Sequence, residues 1–444
     1  MTWLLFLAWL PLQESRPPIE TLRSLREAAS ANPEKAEVQY ELGGLYASYG
    51  RTAEALQALG RAVELAPAEL AYRLAYGEAL YRAGRAQEAV PHLEQARERP
   101  EALLLLASAH ETLGDSAKML DDLEAYVKAA PRDEGARFLL GTKLEEAKRI
   151  DEALGLYRSG SDPRSLGRAA ELLSRRPEAL SESESCARKA LGIEPAEVEA
   201  RVALARVLSR TGREAEALAE LERGRDASPD SSQIHYQLAQ AYQRAGRTEE
   251  ARAASARFQE LSASERSAQE REARVAVTYK RGAELLRNGN MLEAEPVFRS
   301  VLEIDPDHAQ TRSMLAKIAF SRNDPESARR WIEEAIARAP EVAEYHYLRG
   351  FFLARAGAAA EAESSARRAL ELDPGLADAW SLLGSLLLDR RRPDDALQSF
   401  LSAAALEPAN PAIQLNLAST YAALGDRAAE EKAMERYREL SLPR

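Results

Sequence analysis

The chain has 444 residues, of which 45% are hydrophobic, 6% are aromatic and 30% are charged, and its formal net charge is −11. The negative charge argues against general affinity for nucleic acid or for an anionic membrane, and the scarcity of aromatic residues argues against a β-sheet. The excess of arginine over lysine, together with the abundance of alanine, favours a GC-rich bacterial genome as the source.

An apolar segment opens the chain, because the residues from Trp3 to Leu10 are all uncharged and hydrophobic. The run is too short to span a bilayer, but it has the length of the hydrophobic region of a secretory signal. No basic residue precedes it and no small-x-small cleavage site follows, which weakens that interpretation. We expect residues 1–18 to direct export to the periplasm or the outside of the cell. The alternative is an apolar cap on the first helix of a cytoplasmic protein.

From residue 19 onward the chain repeats itself, and prolines recur every 34 residues at Pro306, Pro340, Pro374 and Pro408. A fixed period of this length is typical of a solenoid array. A half repeat over residues 19–35 predicts a single helix that caps the open end of the array. Complete repeats begin at Ala36, Leu70, Pro100, Glu134, Val198, Ser232, Val275, Ala309, Ala343, Ala377 and Pro411.

The clearest copy of the repeat spans residues 36–69. Small residues at positions 8, 20 and 27 let two helices approach closely, and proline at position 32 ends the second helix. Its residues at positions 7, 8, 11, 15, 20, 24, 27 and 32 are Leu42, Gly43, Tyr46, Gly50, Ala55, Leu59, Ala62 and Pro67. Glycine at position 15 predicts a left-handed end to the first helix. We expect that conformation at Gly50, Gly84, Gly114, Gly212, Gly246, Gly289, Gly357 and Gly425.

This pattern resembles the tetratricopeptide repeat (TPR), which carries an aromatic residue at position 4, Leu at 7, Gly or Ala at 8, Tyr at 11 and Pro at 32. The resemblance implies an all-α, right-handed superhelical solenoid of antiparallel helix pairs. It also implies a scaffold that binds other proteins. In this family the ligand lies on the concave surface, at positions 2, 5, 9, 12 and 13 of the first helices, which we call the inner positions.

Two segments interrupt the register of the repeats. Between residues 160 and 197 the pattern is degenerate, and we interpret it as a distorted repeat with an insertion near residues 181–185. Residues 259–274 contain no proline or glycine, which favours a long solvated helix over the alternative of a flexible joint. The predicted organisation is an N-terminal block over 36–265, a linking helix over 266–274 and a C-terminal block over 275–444, with no separate catalytic domain.

Residues that could carry chemistry are few and scattered. None of the five histidines lies three to five residues from another histidine or from cysteine, so we expect no metal site. His235 and His346 fall at position 4 and are expected to pack inside their repeats. We expect no enzyme activity and no cofactor. The alternatives are a self-associating assembly factor and, less favoured, an enzyme with a site around Cys186 in the degenerate segment.

A basic and aromatic set of inner positions distinguishes the later repeats from the first four, whose inner positions carry mostly glutamate. Arginine forms bidentate bonds with carboxylates, and aromatic rings supply rigid apolar area. We therefore expect an extended peptide or helix of another protein as partner, with acidic segments favoured and self-association as one form, and no nucleic acid. The alternative is that these side chains are ordinarily solvated. The candidate binding residues are Arg206, Arg210, Tyr236, Arg244, Tyr279, Arg287, Lys317, Phe320, Tyr347, Phe351 and Arg355.

Overall fold

The computed structural model describes residues 18–442. In this part of the chain all regular structure is helical, with 24 α-helices and one 3-10 turn at Pro177–Ala179. The helices pack in successive pairs, which confirms the predicted all-α array. The segment predicted to direct export lies outside the described residues. None of the helices in residues 18–442 is both long enough and apolar enough to cross a membrane.

A helix begins at ten of the eleven predicted repeat starts, and the exception is Val275, which lies inside the long helix Thr248–Arg287. The first four are α1 (Ile19–Ala31), α2 (Ala36–Ser48), α3 (Thr52–Leu65) and α4 (Leu70–Arg82). The next ten are α5 (Ala86–Gln95), α6 (Pro100–Thr112), α7 (Ser116–Ala129), α8 (Glu134–Glu146), α9 (Ile150–Ser159), α10 (Pro163–Ser174), α11 (Leu180–Ile193), α12 (Val198–Arg210), α13 (Glu214–Ala227) and α14 (Ser232–Arg244). The last ten are α15 (Thr248–Arg287), α16 (Met291–Ile304), α17 (Ala309–Ser321), α18 (Pro325–Arg338), α19 (Ala343–Arg355), α20 (Ala359–Leu372), α21 (Ala377–Asp389), α22 (Pro393–Leu406), α23 (Pro411–Leu424) and α24 (Arg427–Ser441).

Position 15 ends the first helix of each repeat in the left-handed conformation. All eight glycines predicted for this role have positive φ, between 70° at Gly50 and 80° at Gly357. In the three remaining repeats Lys148, Asn323 and Arg391 adopt the same conformation, with φ of 64°, 59° and 58°. The turn is therefore imposed by the repeat, because it persists where no glycine is present.

Position 8 is small because the second helix of the repeat presses against it. A Cβ atom placed on Gly43 would lie 2.5 Å from Cγ of Leu59, and one placed on Gly384 would lie 2.8 Å from the ring of Phe400. Leu59 and Phe400 both occupy position 24. The predicted close approach of the paired helices is confirmed at these contacts.

Position 4 has a role that the repeat pattern alone does not reveal. The ring nitrogens of His235, His346 and Trp380 each donate to the backbone carbonyl of the proline six residues earlier, at 2.9, 2.8 and 2.8 Å. Arginine does the same at this position in four other repeats, through Arg73, Arg137, Arg201 and Arg312. His235 and His346 are thus structural, as predicted, and each ties its helix to the preceding loop.

The degenerate segment folds as a complete helix pair. Helices α10 and α11 pack on each other, and the hydroxyl of Ser183 donates to the carbonyl of Ala170 at 2.6 Å. The predicted insertion near residues 181–185 was misplaced, because this run lies inside α11. The irregularity is the 3-10 turn at Pro177–Ala179, where proline interrupts the path from one helix to the next.

The helices form two compact units, which we call the middle unit (residues 86–270) and the terminal unit (residues 18–85 with 271–442). The boundary at residues 270 and 271 falls inside α15, which is continuous over the segment where a solvated helix was predicted. The predicted limits of the two repeat blocks remain a prediction. Within the terminal unit, α1 packs on α2 and also on α22.

Candidate peptide-binding surface

The candidate residues fall into two sets, one in each unit. Each set occupies the first helices of its repeats, at the inner positions expected from the sequence. Those of the middle unit are Arg206, Arg210, Tyr236 and Arg244. Those of the terminal unit are Tyr279, Arg287, Lys317, Phe320, Tyr347, Phe351 and Arg355.

Two arginines of the middle unit, Arg206 and Arg210, form hydrogen bonds to the neighbouring helix pair. Nη1 of Arg206 donates to Oγ of Ser174 at 2.8 Å and lies 3.3 Å from Oε1 of Glu171. Nη1 of Arg210 donates to the backbone carbonyl of Ser174 at 2.6 Å. These bonds hold α12 to the end of α10, so both side chains already have a structural role.

The other two members of the middle set are more accessible. Tyr236 is 44% exposed, and its ring lies 5.2 Å from that of Phe258 on α15. Arg244 is exposed, and its guanidinium has no hydrogen bond or ion pair within the described part of the chain. These two residues remain available to a ligand.

An aromatic cluster forms in the terminal unit between α17 and α19. The ring of Phe320 stacks on that of Phe352 at 4.7 Å and lies 5.3 Å from that of Phe351. Tyr347 extends the cluster, with its ring 6.3 Å from that of Phe351. Phe352 is buried, whereas Phe320, Tyr347 and Phe351 are half-buried. We call these three half-buried rings the aromatic surface.

Tyr279 is packed in a separate group of rings. Its ring meets that of Phe298 edge-on at 5.6 Å and lies 5.4 Å from that of His308. Burial raises the pKa of the Tyr279 hydroxyl, and burial together with the charges of Asp378 and Glu344 raises the pKa of Tyr347 to about 12. Both hydroxyls therefore stay protonated near neutral pH and can donate hydrogen bonds.

The cations near the aromatic surface differ in their partners. Nζ of Lys317 lies 2.7 Å from Oε1 of Glu344, so its charge is already balanced. Arg287 and Arg355 are exposed and make no hydrogen bond or ion pair with any residue between 18 and 442. Among the candidate residues of this unit, the cations without a partner are thus those at position 13 of α15 and α19.

The acidic inner positions of the middle unit are largely neutralised. Oε1 of Glu111 lies 2.8 Å from Nζ of Lys143. Glu145 accepts from Nη2 of Arg168 at 2.6 Å, from Nε of Arg168 at 2.9 Å and from the hydroxyl of Tyr157 at 2.8 Å. The contrast between acidic and basic inner positions is therefore weaker than the sequence predicts.

Sequence reasoning overlooked Asp378, which occupies position 2 of the repeat that begins at Ala377. Burial raises the pKa of its carboxyl group, as do the charges of Glu407 and Glu344, whereas Arg51 lowers it. Asp378 also contributes to the raised pKa of Tyr347. Its position in the repeat was a usable signal, because position 2 is one of the inner positions.

Models of the tetratricopeptide repeat match most of the chain. They cover residues 22–165, in four overlapping matches, and 166–236, 232–257, 285–350 and 381–441. The chain belongs to the tetratricopeptide repeat family. These matches span the degenerate segment as well as the regular repeats.

Similarity of this TPR chain to individual proteins is low. No curated protein matches it. Among solved structures, the crystal structure of MamA is 21% identical over 36% of this chain and 93% of its own, with a TM-score of 0.33. The structure of PilF from Pseudomonas aeruginosa is 21% identical over 39% and 80%, with a TM-score of 0.37. Yeast Tom70 is 17% identical over 93% of both chains, with a TM-score of 0.34.

The alternative catalytic site was considered around Cys186, the one cysteine of the chain. Cys186 is buried in the hydrophobic core of the middle unit, and burial and the charge of Glu182 raise the pKa of its thiol. A raised pKa disfavours the thiolate, which is the nucleophilic form. Within residues 18–442 no three His, Cys, Asp or Glu side chains are grouped so as to hold a metal ion. TPR arrays are typically scaffolds without catalytic activity.

Proposed function

We propose that this TPR chain is a scaffold that binds an extended peptide or a single helix of another protein on the aromatic surface. One observation carries the proposal: Phe320, Tyr347 and Phe351 are half-buried and share one cluster on adjacent first helices. Rings held in this way present apolar area that is already ordered, so a ligand loses little entropy in using them.

The polar groups around the aromatic surface favour a peptide ligand that offers backbone carbonyls as acceptors and that carries acidic side chains. The protonated hydroxyl of Tyr347 can donate to a backbone carbonyl. Arg355 lies on the same helix as Tyr347 and Phe351, and it is exposed without a counter-ion in the described structure. Arginine binds carboxylates in a bidentate manner, so an acidic side chain beside an apolar one is the expected ligand pattern.

The proposal gives the candidate residues different roles. Tyr279 and Lys317 have supporting roles outside the aromatic surface, since each already has its own packing or ionic partner. Arg206 and Arg210 support α12 through their bonds to Ser174. Tyr236 and Arg244 would form a second, smaller contact in the middle unit.

A peptide-display selection tests the proposal. The full chain would be exposed to a library of unstructured peptides, and the enriched peptides would then be tested against Tyr347→Ala and Phe351→Ala variants. Loss of an aromatic anchor costs about 1–2 kcal/mol, so we expect affinity to fall roughly 5- to 30-fold. Arg355→Glu should lower the affinity of acidic peptides alone.

Tyr437→Ala provides the matched control, because Tyr437 is a half-buried aromatic residue of α24 that is not at an inner position. It should leave peptide affinity unchanged. Circular dichroism would verify that each variant keeps its helical content. The proposal fails if selected peptides bind the Tyr347 and Phe351 variants as tightly as they bind the unmodified chain.

A further inference from the structure

The first helices of the described chain meet the next-to-last repeat, formed by α21 and α22, inside the terminal unit. Ile19, Leu22, Leu45 and Tyr46 lie in one buried apolar cluster with residues more than 300 positions later in the sequence. Those later residues are Ala377, Ala405 and Leu406, with Trp380 packed at the edge. We call this junction the end contact.

Hydrogen bonds and an ion pair surround the apolar part of the end contact. The hydroxyl of Tyr46 donates to the carbonyl of Ala405 at 3.2 Å, and Nη1 of Arg23 donates to Oε1 of Gln398 at 2.9 Å. Arg26 also donates to the carbonyl of Ala404. Each of these bonds joins α1 or α2 to α22. The bonds therefore fix how these helices align, in addition to the apolar packing.

Arg51 and Glu407 form the ion pair of the end contact. Nη1 of Arg51 lies 2.8 Å from Oε1 of Glu407, with about a quarter of each side chain exposed. Nη2 of Arg51 also lies 3.2 Å from Oε1 of Glu54. Without Arg51 the carboxylates of Glu54 and Glu407 would lose the cation that they share. The ion pair therefore favours the closed contact over the separated ends.

The apolar residues that α21 and α22 contribute are mostly small. Two of the three buried residues on that side are alanines, and only Leu406 is large. Trp380 lies at the edge of the cluster, so the large apolar side chains of the contact come mostly from α1 and α2. The polar bonds therefore provide a substantial share of the specificity, and the contact is one that a charge change can open.

We propose that α1 and α2 act as an in-chain ligand of the repeat formed by α21 and α22, which makes the end contact a releasable clasp between the first helices of the array and its next-to-last repeat. In a linear repeat array each repeat contacts its sequence neighbours alone, and the ends lose structure independently. The clasp instead makes the stability of residues 19–48 and 377–407 mutually dependent. This inference does not depend on the proposed peptide-binding function.

Hydrogen exchange of the full chain tests the clasp. The Arg51→Glu variant places a third carboxylate beside those of Glu54 and Glu407. Amides in residues 19–31 and in residues 393–406 should therefore exchange faster, by roughly fivefold, which corresponds to about 1 kcal/mol. Glu407→Arg should act in the same direction. The double variant Arg51→Glu with Glu407→Arg should recover most of the protection, because it restores an ion pair.

Arg61→Glu is the matched control, because Arg61 pairs with Glu64 on its own helix and with Glu34 in the loop before α2, and in the described structure it makes no ion pair with α21 or α22. It should leave exchange in residues 393–406 unchanged. The proposal is overturned if Arg51→Glu accelerates exchange in residues 36–65 alone, or if Arg51→Glu and Arg61→Glu act alike on residues 393–406.

A second measurement establishes that the contact forms within one chain. Spin labels on Ser24→Cys and Asp394→Cys, in a Cys186→Ala background, should give one short distance in the doubly labelled protein after dilution with unlabelled chain. If the short distance instead arises in a mixture of singly labelled chains, α1 and α2 dock on a second copy, and the in-chain proposal is wrong.

Discussion

At the scale of single residues, position 15 shows how the repeat constrains the backbone. Eight glycines and three other residues share one left-handed turn. For a residue with a side chain this conformation costs about 1–2 kcal/mol, a cost that glycine does not incur. Lys148, Asn323 and Arg391 therefore hold strain that the surrounding helices compensate.

Replacing Arg391 by glycine should relieve that strain. The Arg391→Gly variant should raise the free energy of unfolding by about 0.5–1 kcal/mol, because the entropy lost by glycine offsets part of the gain. The reverse change Gly357→Arg should destabilise the protein by a similar amount, since no atom lies within 4 Å of a Cβ placed there and the effect comes from the backbone. Urea unfolding measures both. Equal midpoints for the two variants would contradict the explanation.

Glu145 predicts a pH dependence of stability. Burial alone would raise the pKa of its carboxyl group, but the hydrogen bonds from Arg168 and Tyr157 outweigh burial and hold the pKa below its ordinary value. A lowered folded-state pKa stabilises the protein above the unfolded pKa of about 4.3, and this stabilisation is lost as the pH falls through the folded pKa. Glu145→Gln should thus cost about 1–2 kcal/mol at neutral pH and little at strongly acidic pH.

Glu146 provides the control for this prediction. Its side chain is 61% exposed and pairs with Lys143 on the same helix. Exposed pairs of this kind contribute about 0–1 kcal/mol, so Glu146→Gln should change stability little at any pH. Urea midpoints of both variants across the acidic range decide the question. A Glu145→Gln cost that does not diminish at low pH would contradict the assigned role of the carboxylate.

Much at this scale could be predicted from the sequence, because the repeat period superimposes eleven copies of each position. The glycine turns and the small residues at position 8 followed directly from that superposition. The partners of Arg206 and Arg210 did not, since their bonds depend on Ser174 and Glu171 in the irregular segment. The repeat period predicts which face of its helix a side chain occupies. It does not predict which residue of the neighbouring repeat that side chain contacts.

At the scale of helices, close packing between the two helices of a repeat leaves no room for larger side chains. Ala396 at position 20 of its repeat is fully buried in α22. Ala396→Leu should destabilise the protein by about 1–3 kcal/mol through overpacking. Ala360→Leu is the control, because Ala360 is exposed on α20.

The spread of this destabilisation can be measured by hydrogen exchange. In a linear array, exchange should rise in α21, α22 and their sequence neighbours. Because α1 also packs on α22, exchange should rise in residues 19–31 as well. A uniform rise along the whole chain would show that the repeats do not act as local units.

The irregular helix pair marks the limit of pattern reasoning at this scale. The sequence indicated a disturbance between residues 160 and 197 but placed it at residues 181–185. The polar run at these residues was interpreted as an insertion, but it lies inside α11. The proline at Pro177 was the better signal, because proline disfavours continuation of a helix and here begins the 3-10 turn.

At the scale of the whole molecule, the sequence predicted an array and did not predict its end contact. A period of 34 residues describes contacts between neighbouring repeats. It says nothing about Leu22 and Leu406, which share a buried cluster although they are far apart in sequence. The continuous helix α15 was predictable, because residues 259–274 contain nothing that breaks a helix.

The central claim is that the aromatic surface of α17 and α19 receives the ligand. Hydrogen exchange of the full chain, with and without a peptide selected by display, tests it most directly. We predict slower exchange in residues 309–321 and 343–355 on binding, and much less slowing in the Phe351→Ala variant, when the peptide concentration is close to the Kd of the unmodified chain. Protection confined to other helices, or equal protection in that variant, would contradict the claim.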